Sequence, residues 1–214
     1  MKHIQIKNFV TGIVGTNCYI VSNIATKEAF VVDIAGKSTP MAEYIKEEGL
    51  RIKALFLTHG HFDHIMGIDW FTALFPVPVY AFEEERKLLE DAGLNASSSY
   101  GSAYTYKQAQ YIKDNEERSV AGVKIHVLYT PGHTIGGCCY YLPEEEVLFS
   151  GDTLFKESIG RTDLPTGSSG KLVRSVKERL FVLPDETAVF PGHMETTTIG
   201  YEKAYNAAIV MSCN

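Results

Sequence analysis

Five of the seven histidines in this chain lie in three short segments and could bind metal. The segments are residues 58–64 (THGHFDH), 131–134 (PGHT) and 191–193 (PGH), and residues 150–153 (SGDT) add an aspartate between the last two. Imidazole and carboxylate are the groups by which proteins hold first-row divalent metals, and four ligands complete a tetrahedral site. The segments supply seven such side chains, nearly enough for two ions: His59, His61, Asp63, His64, His133, Asp152 and His193.

The spacing inside the first segment directs its ligands to two positions. Residues i and i+2 of an extended segment point the same way, so His59 and His61 converge on one ion. If the chain turns sharply after His61, Asp63 and His64 face a second position. The two ions would then lie about 3.5–4 Å apart, the separation that is typical of two-metal hydrolytic sites.

These motifs, in this order, resemble the metallo-β-lactamase-fold superfamily. The pattern Thr-His-x-His-x-Asp-His is followed by Pro-Gly-His-Thr, by Ser-Gly-Asp-Thr-Leu-Phe and by a last Pro-Gly-His, and the match extends over residues 58–193. The resemblance implies two metal ions that share a bridging carboxylate. The implied ligands are His59, His61 and His133 for the first ion, Asp63, His64 and His193 for the second ion, and Asp152 for the bridge.

Several subgroups of that superfamily are disfavoured by single residues or by charge. The redox diiron branch has Glu where this chain has His61. True lactamases lack a carboxylate at the position of Asp152 and are exported, whereas residues 1–7 here contain no apolar signal-peptide core. Nuclease branches carry basic surfaces, and this chain has a formal net charge of −6. Residues 150–165 most resemble the short bacterial glyoxalase II-like hydrolases, which cleave S-2-hydroxyacyl glutathione thioesters.

The chain departs from the larger glyoxalase II enzymes in two ways. Those enzymes carry a C-terminal helical domain that grips glutathione, which the residues after His193 do not supply. They also have Gly where this chain has Met194. The resemblance therefore implies hydrolysis of a thioester more directly than it implies a grip on glutathione.

Residues 160–163 (GRTD) admit other interpretations, because the same segment occurs in the persulfide dioxygenase branch, which uses one iron. The ligands of that iron would be His59, His133 and Asp152. A further alternative is a metal-binding protein without turnover. Arg161 either binds a substrate carboxylate at the mouth of the pocket, which its planar set of donors suits, or forms an ion pair with Asp163. The sequence leaves both roles open.

The expected activity follows from the metal pair. Two divalent ions that share a water lower its pKa from about 15.7 towards 7, so a metal-bridged hydroxide can attack a thioester carbonyl. Asp63 is the expected catalytic residue, because it would orient this water. A thiolate with a pKa near about 8.5 leaves without an obligatory general acid. Zinc is the expected metal of this binuclear hydrolase, and iron or manganese would also suit nitrogen and oxygen ligands.

The ligand segments must be positioned by alternating strands and helices. Apolar runs bounded by turn residues predict strands, and amphipathic runs with stop signals predict helices. The predicted strands cover residues 4–10, 18–22, 29–33, 51–57, 77–82, 123–130, 138–142, 147–150 and 187–190. The predicted helices cover residues 41–48, 65–75, 83–91, 171–180 and 201–211.

This order of elements fits an α/β fold, a four-layer αβ/βα sandwich in which two mixed sheets pack face to face under outer helices. Residues 1–214 are expected to form a single metallo-β-lactamase-fold domain. Every predicted ligand except His64 follows a strand or lies in its exit turn, where a rigid scaffold places reactive side chains. Residues 95–106 lack periodicity and predict a solvated loop, with a lid over the pocket as the alternative.

Composition sets the remaining expectations. The hydrophobic content of 45% is ordinary for a globular protein, and no apolar run approaches the roughly twenty residues of a membrane span. The partner is expected to be a small-molecule thioester, not nucleic acid or a membrane. The four cysteines form neither a metal motif nor a disulfide framework, which predicts reduced thiols in the cytoplasm. His3 and His126 are interpreted as ordinary polar residues, and the oligomeric state is left open.

Overall fold

The N-terminal half of the chain builds the first of two β-sheets. The computed structural model describes residues 3–100 and 102–210. The strands of the first sheet, in spatial as well as chain order, are β1 (Ile4–Thr11), β2 (Thr16–Asn23), β3 (Glu28–Val32), β4 (Arg51–Phe56), β5 (Val79–Phe82) and β6 (Gln110–Ile112). β1, β2 and β3 pair antiparallel, whereas β3 to β6 pair parallel, so the sheet is mixed.

The C-terminal half builds the second sheet and a short ribbon. Its strands are β7 (Glu117–Val120), β8 (Val123–Tyr129), β9 (Cys138–Leu142), β10 (Val147–Gly151), β11 (Leu154–Phe155), β12 (Ser158–Ile159), β13 (Ala188–Pro191) and β14 (Thr197–Thr198). The sheet has the order β14-β13-β10-β9-β8-β7, and β11 and β12 form a separate two-stranded sheet. β10 is parallel to β13, and β9 lies antiparallel between β8 and β10. The C-terminal ends of β8, β10 and β13 therefore share one edge.

The helices lie on the outer faces of the two sheets. They are α1 (Thr39–Glu47), α2 (Phe62–Ile65), α3 (Ile68–Leu74), α4 (Arg86–Leu89), α5 (Ser169–Ser175), α6 (Ile199–Tyr205) and α7 (Ala207–Val210), and α5 continues as a π-helical segment (Val176–Leu180). α1 begins where the Ser38 hydroxyl accepts a hydrogen bond from Met41 N, as an N-cap residue does. Across residues 3–100 and 102–210, no helix has the length and apolar character needed to cross a membrane.

Three apolar clusters hold the layers together. The central cluster lies between the sheets, where the ring of Phe56 in β4 packs 5.1 Å from that of Tyr140 in β9. A second cluster joins the first sheet to α1 and α3, and a third joins the second sheet to the π-helical segment and α6. One face of each sheet thus packs against the opposite sheet, and its outer face packs against helices. This arrangement confirms the predicted four-layer sandwich.

The single helix predicted over residues 65–75 is wrong, because the helix is interrupted at Gly67: α2 ends at Ile65 and α3 begins at Ile68. A Cβ on Gly67 would lie 2.7 Å from Cγ1 of Ile34 and 2.8 Å from the carbonyl oxygen of Gly36. Only glycine allows residue 67 to approach residues 34–36 so closely. This close approach changes the direction of the chain between α2 and α3. Amphipathic spacing alone did not reveal this break.

Other predicted boundaries also differ from the structure. Residues 83–91 form a 3-10 turn (Glu83–Glu85) followed by α4, and residues 201–210 are divided between α6 and α7 at Asn206, while Met211 lies outside the described residues. Five short strands were not predicted: β6, β7, β11, β12 and β14. Their sequences are brief or polar, and pairing with a neighbouring strand, not apolar alternation, makes them strands.

Candidate metal centre

The predicted ligands lie at one edge of the sandwich because of where their strands end. The segments that carry His133, Asp152 and His193 follow β8, β10 and β13, whose C-terminal ends share an edge. The segment with the other four ligands follows β4 of the first sheet. The sheets meet at this place, since Cys138 N donates to the carbonyl oxygen of Thr58 over 2.9 Å. Both halves of the chain therefore contribute to one cluster.

Three histidines form the first group of candidate ligands. Nδ1 of His61 lies 2.9 Å from Nε2 of His133, which in turn lies 3.2 Å from Nε2 of His59. All three residues are at most 4% exposed. Three ring nitrogens within 4.8 Å of one another can face a single cation. The group is the one that the resemblance implies for the first ion.

An aspartate and two histidines form the second group. Oδ2 of Asp63 lies 3.2 Å from Nε2 of His193 and 3.7 Å from Nε2 of His64. The sharp turn expected after His61 is present: His61 has an extended backbone, and α2 begins at the next residue. The His64 ring is fully buried, whereas the side chain of His193 is 21% exposed. The second group therefore opens towards solvent.

Asp152 lies between the two groups. Its Oδ2 is 3.5 Å from Nε2 of His133 and 3.6 Å from Nε2 of His193, and its Oδ1 is 3.5 Å from Nε2 of His64. Gly192 makes room for this carboxylate, since a Cβ there would collide with Oδ1 of Asp152. One carboxylate thus reaches both groups, which is the position that a bridging ligand needs.

The chemistry of these donors fits a pair of divalent cations. Among the described residues, Nε2 of His64 and Oδ1 of Asp152 are buried without a hydrogen-bond partner. Such an orphaned atom costs about 1–3 kcal/mol, which indicates that a ligand belongs there. Burial lowers the pKa of His61 to about 3 and lowers the pKa of His59 well below its ordinary value. Both rings are therefore neutral and keep a lone pair for a metal.

Contacts behind the first group orient its rings. Nδ1 of His133 donates to the carbonyl oxygen of Arg161 over 2.8 Å, and Nδ1 of His59 lies 3.2 Å from the hydroxyl of Thr58. A hydrogen bond at one ring nitrogen fixes the tautomer and leaves the other nitrogen free to bind a metal. The backbone carbonyl of Arg161 thus orients the His133 ring, and this role does not depend on the Arg161 side chain.

Asp33, predicted only as the last residue of a strand, orients the second group. It accepts hydrogen bonds from the Thr58 amide (2.8 Å) and hydroxyl (2.7 Å), and its Oδ2 lies 2.8 Å from Nδ1 of His64. The residue is 1% exposed and has a φ of 59°, in the left-handed region that Asp tolerates better than most residues. A carboxylate directly after an apolar run was the signal in the sequence that could have revealed this role.

Strand β2 holds the turn that carries His193. The backbone N–H of Asn17 donates to the carbonyl oxygen of Gly192 over 2.7 Å. The side-chain Nδ2 of Asn17 donates to the carbonyl oxygens of Pro191 and Met194. Met194 has a φ of 68°, the conformation that favours glycine. Met194 therefore has the backbone conformation of a glycine, the residue that the larger glyoxalase II enzymes have at this position. Its side chain is exposed beside the metal centre.

The centre forms the floor of a cavity of about 420 Å³. Its walls are mainly apolar: Val14, Phe62, Tyr100, Phe155, Leu164 and Met194. Tyr100 stacks on Phe62 with ring centroids 4.3 Å apart. Asn95 and Ser97 are fully buried, so the prediction of a plain solvated loop over residues 95–106 is wrong for this part of the stretch. The loop is anchored in the protein and supplies one wall of the cavity.

Arg161 lies at the mouth of the cavity and forms an ion pair. Its Nε and Nη2 each donate to a carboxylate oxygen of Asp163 over 2.7 Å, and the two side chains are 56% and 67% exposed. An exposed pair of this kind contributes about 0–1 kcal/mol, so a substrate carboxylate can compete with Asp163 for the guanidinium. Binding of substrate by Arg161 stays a prediction.

The substitution His61→Ala should remove the first ion, because only two histidines of its group would remain. The metal content of purified protein should fall by about one ion per chain, as measured by elemental analysis after buffer exchange. The matched control is His126→Ala, since His126 is half-buried in β8, pairs with Glu117 across the sheet and is not one of the clustered residues. Equal metal content in His61→Ala and the wild type would contradict the assignment.

Comparison with known sequences identifies relatives of similar length. Residues 11–193 match the sequence profile of the metallo-beta-lactamase superfamily. The probable metallo-hydrolase YqgX of Bacillus subtilis (strain 168) is 36% identical over 197 residues, which cover 91% of this chain and 92% of YqgX. The hydroxyacylglutathione hydrolase GloC of Haemophilus influenzae is 32% identical over 184 residues, which cover 84% of this chain and 86% of GloC.

Solved structures share the fold over nearly the full chain. BLEG-1, described as a B3 metallo-beta-lactamase, superposes with a TM-score of 0.90 at 39% identity and covers 96% of this chain and 99% of its own. TTHA1623, solved in a di-iron-bound form, superposes with a TM-score of 0.84 at 32% identity and covers 94% of this chain and 98% of its own. The two descriptions name different properties, so the likeness does not by itself select a substrate.

Proposed function

Because the chain belongs to the metallo-beta-lactamase superfamily and is a metallo-hydrolase, we propose that it cleaves thioesters of the S-2-hydroxyacyl glutathione type with two divalent ions. The observation that carries the proposal is the position of Asp152, whose carboxylate lies between the two groups of ligand atoms. Similarity to a protein named hydroxyacylglutathione hydrolase supports the substrate class.

Each ion has a proposed set of protein ligands. The proposed ligands are His59, His61 and His133 for the first ion, Asp63, His64 and His193 for the second ion, and Asp152 for both. When bound, such a pair lowers the pKa of a shared water towards about 7 and polarises the thioester carbonyl. Zinc is the proposed metal. Iron is the first alternative, because TTHA1623 has been solved in a di-iron form, and manganese also suits these donors.

Asp63 is the residue proposed to orient the attacking water. The Thr16 hydroxyl donates to Oδ2 of Asp63 over 3.3 Å, and Nε2 of His193 lies 3.2 Å from the same oxygen. Burial opposes ionisation of Asp63, but His64 and His193 hold its pKa below the ordinary value. The ionised carboxylate can accept a hydrogen bond from water and direct the water's lone pair at the substrate.

The remaining residues of the cavity bind and shield the substrate. The apolar walls exclude bulk water from the reacting carbonyl, which strengthens electrostatic interactions inside the cavity. Arg161 is proposed to attract a carboxylate of the substrate at the cavity mouth. The leaving thiolate is stable enough to depart without a protein acid, and this is why thioesters suit the site better than amides.

The described cysteines support a cytoplasmic location. Cys18, Cys138 and Cys139 are buried and unpaired, and burial raises the pKa of both Cys18 and Cys139 to about 11. Unpaired thiols are typical of a reducing compartment, and a high pKa makes them unreactive. We therefore propose that the hydrolase acts in the cytoplasm.

The test of the function is hydrolysis of S-lactoylglutathione by anaerobically prepared protein of measured metal content. Metal-loaded protein should turn over the thioester with a kcat/KM of at least about 10⁴ M⁻¹ s⁻¹. Removal of the ions with a chelator should abolish turnover, and Zn²⁺ should restore it, because the ions activate the water.

Three other outcomes would contradict the proposal and identify an alternative. Hydrolysis of a β-lactam without thioester turnover would indicate a lactamase, as BLEG-1 is described. Oxygen uptake with a persulfide, but no thioester turnover, would indicate a single-iron oxygenase. Failure of fully loaded protein to hydrolyse any thioester, ester, lactam or phosphodiester would indicate a metal-binding protein without turnover.

A further inference from the structure

Glu85 is a buried carboxylate beside the first group of ligands. It ends the 3-10 turn after β5, and it is only 1% exposed, although the adjacent Glu83 and Glu84 are exposed. A run of three glutamates predicts a solvated surface, and residues 83–91 were accordingly expected to form a charged helix. Burial of one member of this run requires partners for its carboxylate.

The partners of Glu85 belong to two different ligand segments. Its Oε1 accepts a hydrogen bond from the Gly60 amide over 2.7 Å, and its Oε2 accepts one from the Thr134 hydroxyl over 3.1 Å. The Gly136 amide also donates to this carboxylate. Gly60 separates His59 from His61, and Thr134 directly follows His133. A single side chain therefore links all three histidines of the first group through their neighbours.

The two segments also pack closely onto Glu85. A Cβ on Gly136 would collide with Oε2 and with the backbone nitrogen of Glu85. A Cβ on Gly60 would lie 3.0 Å from Cβ of Leu88 and 3.3 Å from Cγ of Glu85. Both segments therefore approach Glu85 at positions where only glycine fits, and the hydrogen bonds oppose movement of either segment away from the carboxylate. Glu85 thus connects the two segments at a short, defined separation.

We propose that Glu85 is a positioning residue for the first metal ion: it sets the distance between the pair His59 and His61 and the third ligand, His133. The proposal rests on the proposed metal site. Glu85 itself does not coordinate the ion, since both of its oxygens face amide and hydroxyl donors. Glu85 instead affects the geometry of the first site and hence its affinity for the metal ion, as residues that hold metal ligands in place typically do.

The test is the isosteric substitution Glu85→Gln, with the exposed neighbour Glu84→Gln as the matched control. A glutamine can still accept from Gly60, but its amide NH₂ faces the Gly136 donor and cannot accept from it. Affinity for Zn²⁺ should be measured by competition with a chelator on the full chain. We expect the binding of the first ion to weaken by about 10–100-fold in Glu85→Gln. Binding of the second ion should change by less than about threefold, and Glu84→Gln should match the wild type at both sites.

A second variant separates positioning from a loss of stability. Thr134→Val removes one donor to Glu85 and keeps the shape of the side chain, so it should weaken the first ion in the same direction but less. The thermal unfolding midpoint of the metal-free protein is measured for every variant. A variant that unfolds at a lower temperature, yet binds both ions as the wild type does, would overturn the proposal and leave Glu85 with a purely structural role.

The failure of this proposal is distinguishable from failure of the proposed function. Chelator competition needs no substrate, so wild-type protein that binds two ions without thioester turnover would contradict the function and leave the role of Glu85 testable. Wild-type protein that binds no Zn²⁺ would overturn both. If Glu85→Gln does not fold, a native first-site affinity in the milder Thr134→Val would overturn the proposal, and a weakened one would support it.

Discussion

Asp152→Ala should bind about one ion fewer than the wild type and lose most of its hydrolytic activity. The carboxylate lies within 3.6 Å of ligand atoms from both groups, and its two oxygens are the acidic link between them. The neighbouring histidines hold its pKa below the ordinary value despite burial, so its negative charge offsets the charge of the cations. A loss of several kcal/mol in transition-state stabilisation corresponds to a fall of at least about a hundredfold in kcat/KM.

The measurements are elemental analysis and steady-state kinetics on the same preparation. Asp152→Asn retains the shape of the side chain without the charge, and we expect it to lose the weaker of the two ions. The control is Asp185→Ala, because Asp185 is exposed and its carboxylate forms a surface ion pair with Lys203. A variant Asp152→Ala that keeps two ions and full turnover would be incompatible with a bridging role.

Asp33→Ala should lower both the stability of the protein and its affinity for the second ion. The substitution leaves the Thr58 amide and Nδ1 of His64 without an acceptor in the protein interior, where they are now bound over 2.8 Å each. Unsatisfied buried donors of this kind cost about 1–3 kcal/mol each, so the free energy of unfolding should fall by about 2–6 kcal/mol. Chemical denaturation of the metal-free protein measures this loss.

The conservative variant Asp33→Asn isolates the contact with His64. Asparagine tolerates the left-handed backbone and can still accept from the Thr58 amide, but its NH₂ group cannot accept the proton on Nδ1 of His64. We expect a smaller loss of stability than in the alanine variant and a weakening of the second ion by about 10–100-fold. Wild-type affinity for both ions in Asp33→Asn would show that Asp33 stabilises the fold without orienting His64. The exposed Asp69 provides the control variant Asp69→Asn.

The layer architecture and the clustering of the candidate ligands were accessible from the sequence. His59 and His61 are one residue apart after a buried strand, and the Pro-Gly turns before His133 and His193 end two further strands. The chemistry of these segments is local, so their residue types reveal it. The segments of His133 and His193 converge because they follow parallel strands that end at a common edge, and the packing of the two sheets brings the segment of His59 and His61 beside them.

The supporting carboxylates could not be predicted because their roles depend on distant partners. Asp33 contacts Thr58, and Glu85 contacts Gly60, in each case across 25 positions of the chain. An isolated carboxylate is expected at the surface, and only the tertiary structure reveals which ones are buried with donors around them. The same limit applies to Tyr100, whose contact with Phe62 places it in the cavity wall.

Secondary structure was least predictable where tertiary contact or pairing decides it. The interruption at Gly67 reflects the approach of residues 34–36, which amphipathic spacing does not encode. Strand β7 alternates between exposed and half-buried residues, and it is a strand because it pairs with β8. Local propensity is a weak guide for such segments.

The contribution of both sheets to one cluster has a consequence for the lifetime of the protein. From His59 to His193 the candidate ligands span 134 positions (193 − 59), so bound ions would act as a cross-link that closes most of the chain into a loop. Ions that bind only the folded state stabilise it by mass action. Protein without its ions would lack this stabilisation, so it should unfold at a lower temperature and be cleaved by proteases more readily than the metal-loaded protein.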